Sequence, residues 1–242
     1  MSRRITIGTL NTMKAESEKF VMMTAYDATF SRLISDAGAE TILVGDSLGM
    51  VLQGHDTTIP VTISDMAYHT SCVCRGRPRS LVVADMPFMS YDTTDKALES
   101  GMMLMQAGAQ MVKLEGGVWL SETIHQLVER GIPVCAHLGL TPQSVNVFGG
   151  YKVQGRTPKE AKSILADAVE IQDAGASLLV LECIPAHLAA DISSKLDIPV
   201  IGIGAGPGTY AQVLVLHDML GLSEHPPKFV ENFMTGSTSV QL

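Results

Sequence analysis

Six ionisable residues stand at or just past the ends of short apolar runs: Asp46 after TILVG, Asp85 after SLVVA, Lys113 and Glu115 within QMVKLEG, His137 within IPVCAHLG and Glu182 within SLLVLECI. Ser47 follows Asp46 directly, and Asp27 closes a further run, FVMMTAYD. An isolated carboxylate in such a setting costs on the order of several kcal/mol unless something pairs with it. Two carboxylates at short range repel unless one is protonated or a cation lies between them. Ligands that are all oxygen favour a hard cation, Mg2+ ahead of the transition metals. Magnesium commonly takes one or two protein carboxylates and leaves its other positions to water or substrate. Asp46 and Asp85 are therefore candidates to share one ion. The plainer reading of each is a cap on the following helix or turn. Their company with Lys113, Glu115 and Glu182 favours a site.

Lys113 could serve as a charged donor or as a Schiff-base nucleophile. Glu115, on the same face of a strand, favours the charged form. His137 reads either as a core histidine with satisfied hydrogen bonds or as a member of the site. His217 and Asp218 form a further pair to which the sequence attaches no chemistry.

The elements that must position these residues alternate along the chain. Runs rich in Val, Ile and Leu at 20–27, 41–46, 80–87, 110–116, 132–139, 177–184, 198–206 and 212–216 read as buried strands. Helical spacing runs through 27–38, 62–76, 93–108, 120–131, 157–175 and 185–196. Gly38, Gly76, Gly108, Gly131 and Gly175 stand where a left-handed helix end is wanted. Thr157-Pro158-Lys159-Glu160 reads as an N-cap, a proline at N1 and a capping-box glutamate. Eight strand candidates alternating with helices predict an α/β fold, a (β/α)8 TIM barrel over a single domain at 1–242, with a doubly wound open sheet as the alternative. In a barrel, successive strand ends lie about 4.8 Å apart. The carboxylates, lysine and histidine would then converge on the C-terminal mouth, where barrels place their chemistry. The segment 139–156, containing SVNVFGGYKVQG, is either a lid over that mouth or a surface insertion.

Composition limits the partners. The chain has 242 residues, 46% hydrophobic and 17% charged, with a net charge of -8. This acidic balance argues against a nucleic-acid binder. No apolar run approaches a membrane span, and the N-terminus lacks the apolar core of a secretory signal, so a cytoplasmic or organelle-matrix location is expected. Cys72, Cys74, Cys135 and Cys183 match neither a zinc site nor a disulfide framework. Cys135 and Cys183 are expected as packed thiols, suited to a reducing compartment.

VGDSLGMVLQGHDTTIPVT, VVADMPF, VKLEGG, AHLGLTPQ and IGIGAG, in this order, resemble the ketopantoate hydroxymethyltransferase (3-methyl-2-oxobutanoate hydroxymethyltransferase) family from about residue 5 to about residue 234. The first stretch is the specific one; GIGAG alone is weak. The resemblance implies a (β/α)8 barrel that transfers a hydroxymethyl group from 5,10-methylenetetrahydrofolate to 3-methyl-2-oxobutanoate. The product is ketopantoate, for pantothenate and coenzyme A synthesis, and the route is a Mg2+-stabilised enolate. It implies that Asp46 and Asp85 bind Mg2+ directly, placing both beside the substrate, and that Glu115 acts through metal-bound water. Ser47, Lys113 and His137 would contact the keto acid, and Glu182 would be the general base. The family's large homo-oligomers, commonly decamers, imply a homo-oligomer here. A Mg2+-dependent 2-oxo-acid carbon–carbon lyase and a non-catalytic barrel subunit are the alternatives.

Two departures from the family pattern stand out. Tyr210 and Ala211 occupy positions where the family carries Asp-Gly before its last strand. Ala211 is expected to be strained if that backbone needs a positive φ. MTGSTSVQL stands where the family continues into a helix, so the closing helix is expected to be shortened or missing.

Overall fold

The computed structural model describes residues 4–76 and 78–236. The chain begins with helix α1 (Ile7–Ala15), then strand β1 (Phe20–Thr24), α2 (Ala28–Asp36) and β2 (Thr41–Val44). A short α3 (Leu48–Val51) and α4 (Ile63–Arg75) lead to β3 (Leu81–Asp85), α5 (Thr94–Gln106) and β4 (Met111–Glu115). Next come α6 (Ser121–Glu129), β5 (Val134–Gly139), a short α7 (Val145–Phe148), α8 (Pro158–Asp173) and β6 (Leu178–Glu182). The chain continues through α9 (Ala186–Lys195), β7 (Val200–Ile203), β8 (Ala211–Leu214) and α10 (Leu216–Met219). The eight strands are all parallel and close in chain order, β8 pairing with β1. The expected (β/α)8 barrel is the observed fold, and the open sheet is excluded by that seam.

The strands read as continuous apolar runs because both faces are covered. Ile42, Val44, Val82, Ala84, Val112, Leu114, Leu179 and Leu181 point outward into one apolar layer shared with Met66, Leu104, Ile124, Ile171 and Ile192 of the helices. The alternate residues point inward. Phe20, Met22, Leu43, Leu81, Val83, Met111, Cys135, Leu178, Val180, Ile201, Ala211 and Val213 fill the barrel, joined by Leu10 from α1. Along a single strand the inward series changes character: Leu81, Val83, then Asp85; Met111, then Lys113 and Glu115; Cys135, then His137. The period-2 alternation thus carries an apolar floor up into a charged mouth.

Helix α1 closes the floor. Thr6 caps it through a box with Thr9. The Ile5 N–H donates to the Arg79 carbonyl at 2.8 Å, and Lys14 Nζ donates to the carbonyls of Leu196 and Ile198. Thr157 and Glu160 make the expected capping box on α8.

Two expectations on backbone geometry need correction. Gly38, Gly108, Gly131 and Gly175 have positive φ, but Gly76 has φ -61°. Space explains it: a Cβ there would lie 2.7 Å from the Ala28 carbonyl oxygen and 2.9 Å from Ser31 Oγ. Ala211 has no positive φ; it begins β8 in register with Phe20 and Ile201 and is buried. Strand backbone is extended, so a Cβ is tolerated. Tyr210 lies against α1, with Lys14 Nζ 4.8 Å from its ring centroid. Beyond α10 the described residues carry no regular helix, and residues 237–242 of the MTGSTSVQL segment lie outside them.

Candidate active site

The charged groups of β3, β4, β5 and β6 meet because of register. Asp85 pairs with Lys113 and Glu115 with His137, each with its inward face toward the barrel axis. Lys113 Nζ lies 2.8 Å from Asp85 Oδ1 and 3.4 Å from Glu115 Oε1. His137 Nδ1 lies 3.1 Å from Glu115 Oε1, and its Nε2 lies 3.3 Å from Glu182 Oε2. Asp46 joins from the loop after β2, where its backbone N–H donates to Asp85 Oδ2 at 3.0 Å. The sequence-derived residues Asp46, Asp85, Lys113, Glu115, His137 and Glu182 therefore form one connected cluster.

Ser47 lies beside this cluster. Its Oγ is 2.9 Å from the Tyr26 hydroxyl. A Cβ on Gly45 would lie 2.8 Å from Ser47 Oγ and 3.6 Å from Asp85 Oδ2, so the glycine leaves the space in which these groups approach. Neither Asp46 nor Asp85 has the plainer role of a helix cap: Asp46 Oδ2 accepts from a side-chain amide, and Asp85 Oδ2 accepts from Asp46. Asp27 does have that role, accepting the Thr29 and Phe30 N–H groups at the start of α2. His217 packs its ring 5.6 Å from Tyr26 at a tilt, and Asp218 accepts from Ser223.

Burial and charged neighbours compete over the charge of each group. For Lys113, desolvation opposes the charge, but Asp85, Glu115 and Asp46 outweigh it and hold the ammonium well above its usual range. An amine held toward its charged form is a poor nucleophile, which argues against a Schiff base. Glu115 is desolvated too, yet Lys113, His137 and the Gln143 N–H pull its pKa down to about 2. His137 is raised to about 9: desolvation and Lys113 oppose the charge, while Glu115 and Glu182 win. Asp46 is pushed well above the usual carboxylate range by desolvation, then by Asp85 and Glu115.

The donor set suits a divalent cation. Four carboxyl groups (Asp46, Asp85, Glu115, Glu182) face two cationic side chains (Lys113, His137), an excess of two negative charges when all are ionised. Asp85 Oδ1 is buried with no aligned hydrogen bond, only the charge contact with Lys113. Both Glu115 oxygens are engaged by Lys113, His137 and Gln143. Among the described residues no three His, Cys, Asp or Glu groups converge as a full protein cage. Asp46 and Asp85, with other positions left to water or substrate, fit Mg2+ better than a metal that demands a closed protein shell.

Sequence reasoning missed Gln143, Tyr91 and Tyr26. Gln143 is buried in a turn of 3-10 helix, Pro142–Ser144, just past β5, and touches Asp46, Glu115 and Tyr91. The only signal was its place in AHLGLTPQ. The segment 139–156 is therefore anchored in the cluster at its start. Farther along, Val147 is 86% exposed and the Tyr151 hydroxyl reaches Met50 Sδ of α3 at 3.6 Å. Cys135 is fully buried, but Cys183, expected as a packed thiol, is only half-buried past the end of β6, with φ 46°. All four cysteines are free.

Residues 4–241 match the protein family described as Ketopantoate hydroxymethyltransferase. A 3-methyl-2-oxobutanoate hydroxymethyltransferase 2 of Pseudomonas fluorescens is 59% identical over 239 residues, 98% of this chain and 90% of that protein. The 3-methyl-2-oxobutanoate hydroxymethyltransferase of Stutzerimonas stutzeri is 60% identical over 232 residues, 95% of this chain and 87% of its own length. Among solved structures, a phosphonopyruvate hydrolase in complex with oxalate and Mg2+ matches with a TM-score of 0.67 at 12% identity, over 89% of this chain and 82% of that one. A 2,3-dimethylmalate lyase of the PEP mutase/isocitrate lyase superfamily matches with a TM-score of 0.64 at 17% identity, over the same shares. At these identities the likeness is one of fold.

Proposed function

The chain belongs to the ketopantoate hydroxymethyltransferase family, and from that premise we propose that it transfers a hydroxymethyl group from 5,10-methylenetetrahydrofolate to 3-methyl-2-oxobutanoate, giving ketopantoate. One observation carries the assignment of roles. Within the cluster the Glu182 side chain is 15% exposed, whereas Asp85, Lys113, Glu115 and His137 are 2–4% exposed. Glu182 is the group that an incoming molecule reaches, and the others are the sealed setting it reaches into.

In this reading Glu182 takes the proton from C3 of the oxo acid, and the resulting enolate carbon bonds to the one-carbon unit of the folate; water supplies the hydroxyl oxygen, and the bonds from that carbon to the folate nitrogens break, so that tetrahydrofolate leaves. Asp46 and Asp85 would hold Mg2+, with Glu115 reaching it through water; the bound ion would polarise the oxo acid's carbonyl and so acidify C3. Lys113 places fixed positive charge beside the oxygen on which negative charge develops. Two of its N–H donors face Asp85 and Glu115, and the third is left for the substrate. His137, held charged, keeps Glu182 turned toward the mouth. Ser47, braced by Tyr26, donates to the substrate's carboxylate. Phe88 and Met89 after β3, Trp119 after β4 and Tyr151 after β5 form a half-exposed apolar rim that suits the flat ring of a folate. A homo-oligomer, a decamer as the family resemblance implies, belongs to the same proposal. No helix among the described residues is long and apolar enough to cross a membrane. A cytoplasmic location belongs to the same proposal.

The test is exchange of the C3 proton for deuterium, followed by NMR, with and without Mg2+ and with no folate. Exchange that depends on Mg2+ and falls by roughly 10²–10⁴-fold in Glu182→Gln is the expected result. Adding 5,10-methylenetetrahydrofolate then yields ketopantoate. Cleavage of a 2-methyl-branched acid to pyruvate without folate would select the lyase instead. A folded protein that binds Mg2+ and never exchanges would select a non-catalytic barrel.

A further inference from the structure

The buried carboxamide of Gln143 is a neutral side chain that joins the loop after β5 to the carboxylates of the mouth. Its Nε2 donates to Asp46 Oδ2 at 2.9 Å and to the Met86 carbonyl at 2.9 Å. Its Oε1 accepts from the Tyr91 hydroxyl at 2.5 Å, and its backbone N–H donates to Glu115 Oε2 at 3.1 Å. Gln143 and Tyr91 are 5% and 6% exposed, so water cannot easily replace these partners.

The orientation of the amide follows from chemistry alone. The Met86 carbonyl can only accept, so the amide nitrogen must face it. Flipping the amide would set Oε1 against that carbonyl, two acceptors with no proton between them. Tyr91 completes the arrangement by supplying a proton to Oε1, while its oxygen lies 3.3 Å from the Glu115 N–H. Asp46 sits past the end of β2, where no strand register holds its side chain, unlike Asp85, Lys113, Glu115 and His137. The only side-chain hydrogen bond recorded for its carboxylate among the described residues is the one from Gln143.

We infer that Gln143, oriented by Tyr91, is a positioning residue that holds the Asp46 carboxylate in place for a divalent cation and ties it to Glu115. The inference rests on the proposed cation role of Asp46 and Asp85. Gln143 itself touches neither ion nor substrate; it fixes one ligand through its side chain and one water-holding carboxylate through its backbone. Outer partners of this kind typically set metal affinity by about 10–100-fold.

Mn2+ serves as the probe, counted as the free ion by EPR and without substrate, on wild type, Gln143→Ala and Tyr91→Phe. Thermal melts of the same samples establish that the measured protein is folded. Gln143→Ala should bind Mn2+ about 10–100-fold more weakly. Tyr91→Phe, which keeps the ring stacked on Trp119, should weaken it by a smaller factor. A lower melting midpoint with wild-type affinity would show Gln143 to be structural only and would overturn the inference. Where Gln143→Ala does not fold, Tyr91→Phe decides: unchanged affinity overturns the inference, and weakened affinity supports it. A wild type that binds no Mn2+ would overturn the cation role of Asp46 and Asp85, and the inference with it. Wild-type binding with unaltered variants overturns the inference alone.

Discussion

At the floor of the barrel Leu10, Phe20 and Met22 are 0–3% exposed within an apolar cluster, while at the mouth Asp85, Lys113, Glu115 and His137 are just as buried, at 2–5%, and pair with one another. Equal burial therefore conceals opposite energetics. Apolar side chains gain from leaving water. Charges lose solvation on the same transfer and recover it only through well-placed partners. The floor tolerates loss of shape badly and is indifferent to pH. The mouth tolerates loss of a partner badly and depends on protonation. Such a division leaves the rigid part of the fold free to hold a costly arrangement that chemistry can use.

The sharpest way to break this comparison is Lys113→Ala. It strands Asp85 and Glu115 in the interior and should cost about 3–5 kcal/mol of stability by urea unfolding. Wild-type stability in that variant would mean that the mouth is not held by its charges. Leu10→Ala attacks the other end. It should cost about 2–5 kcal/mol in the same measurement and leave C3 exchange per folded molecule unchanged; a large drop in exchange would deny that the two ends are separable.

A pH series sharpens the contrast further. His137 is raised from 6.5 to about 9 on folding. Its contribution to stability is fully present below pH 6.5 and is lost as pH rises through about 9, up to about 3 kcal/mol. Glu115 is lowered from 4.5 to about 2, so its contribution is present above pH 4.5 and is lost as pH falls through about 2. Metal-free protein should therefore be most stable between these windows. Substituting His137→Gln should flatten the alkaline limb; an unchanged limb would place the proton elsewhere. The smallest effect expected is Ala211→Gly, a loss of about 0.5–1 kcal/mol at the floor because the extended backbone there gains nothing from glycine. Stabilisation instead would restore the idea that Ala211 is strained.

The strands were legible because a parallel strand covered on both faces is written as an unbroken apolar run, and the charged strand ends stand out against it. Helix α1 was not legible. Among its residues only Leu10 is buried, so it lacks the broad apolar stripe that marks an amphipathic helix. Asp27 and Asp46 both follow apolar runs, yet one caps a helix and the other joins the cluster; sequence position alone does not separate them. Gly76 was misread because a glycine demanded by close packing looks the same in sequence as one demanded by φ. Gln143 was invisible for a related reason. A polar residue in a turn carries no periodicity, and its importance comes from partners in the loop after β2, on β4 and in the loop after β3, far from it in the chain.

The seam between β1 and β8 has a consequence for how the protein comes into being. The Leu216 N–H bonds to Thr24 Oγ1 across 192 positions of sequence. During synthesis β1 must therefore wait for β8 before the barrel can close, and any sheet formed before then has unpaired edges, which are prone to sticking. In that unfinished state Asp85, Lys113, Glu115 and His137, carried on β3, β4 and β5, are still hydrated. The charges that are costly to bury in the closed barrel are, until closure, part of the polar surface of the nascent chain.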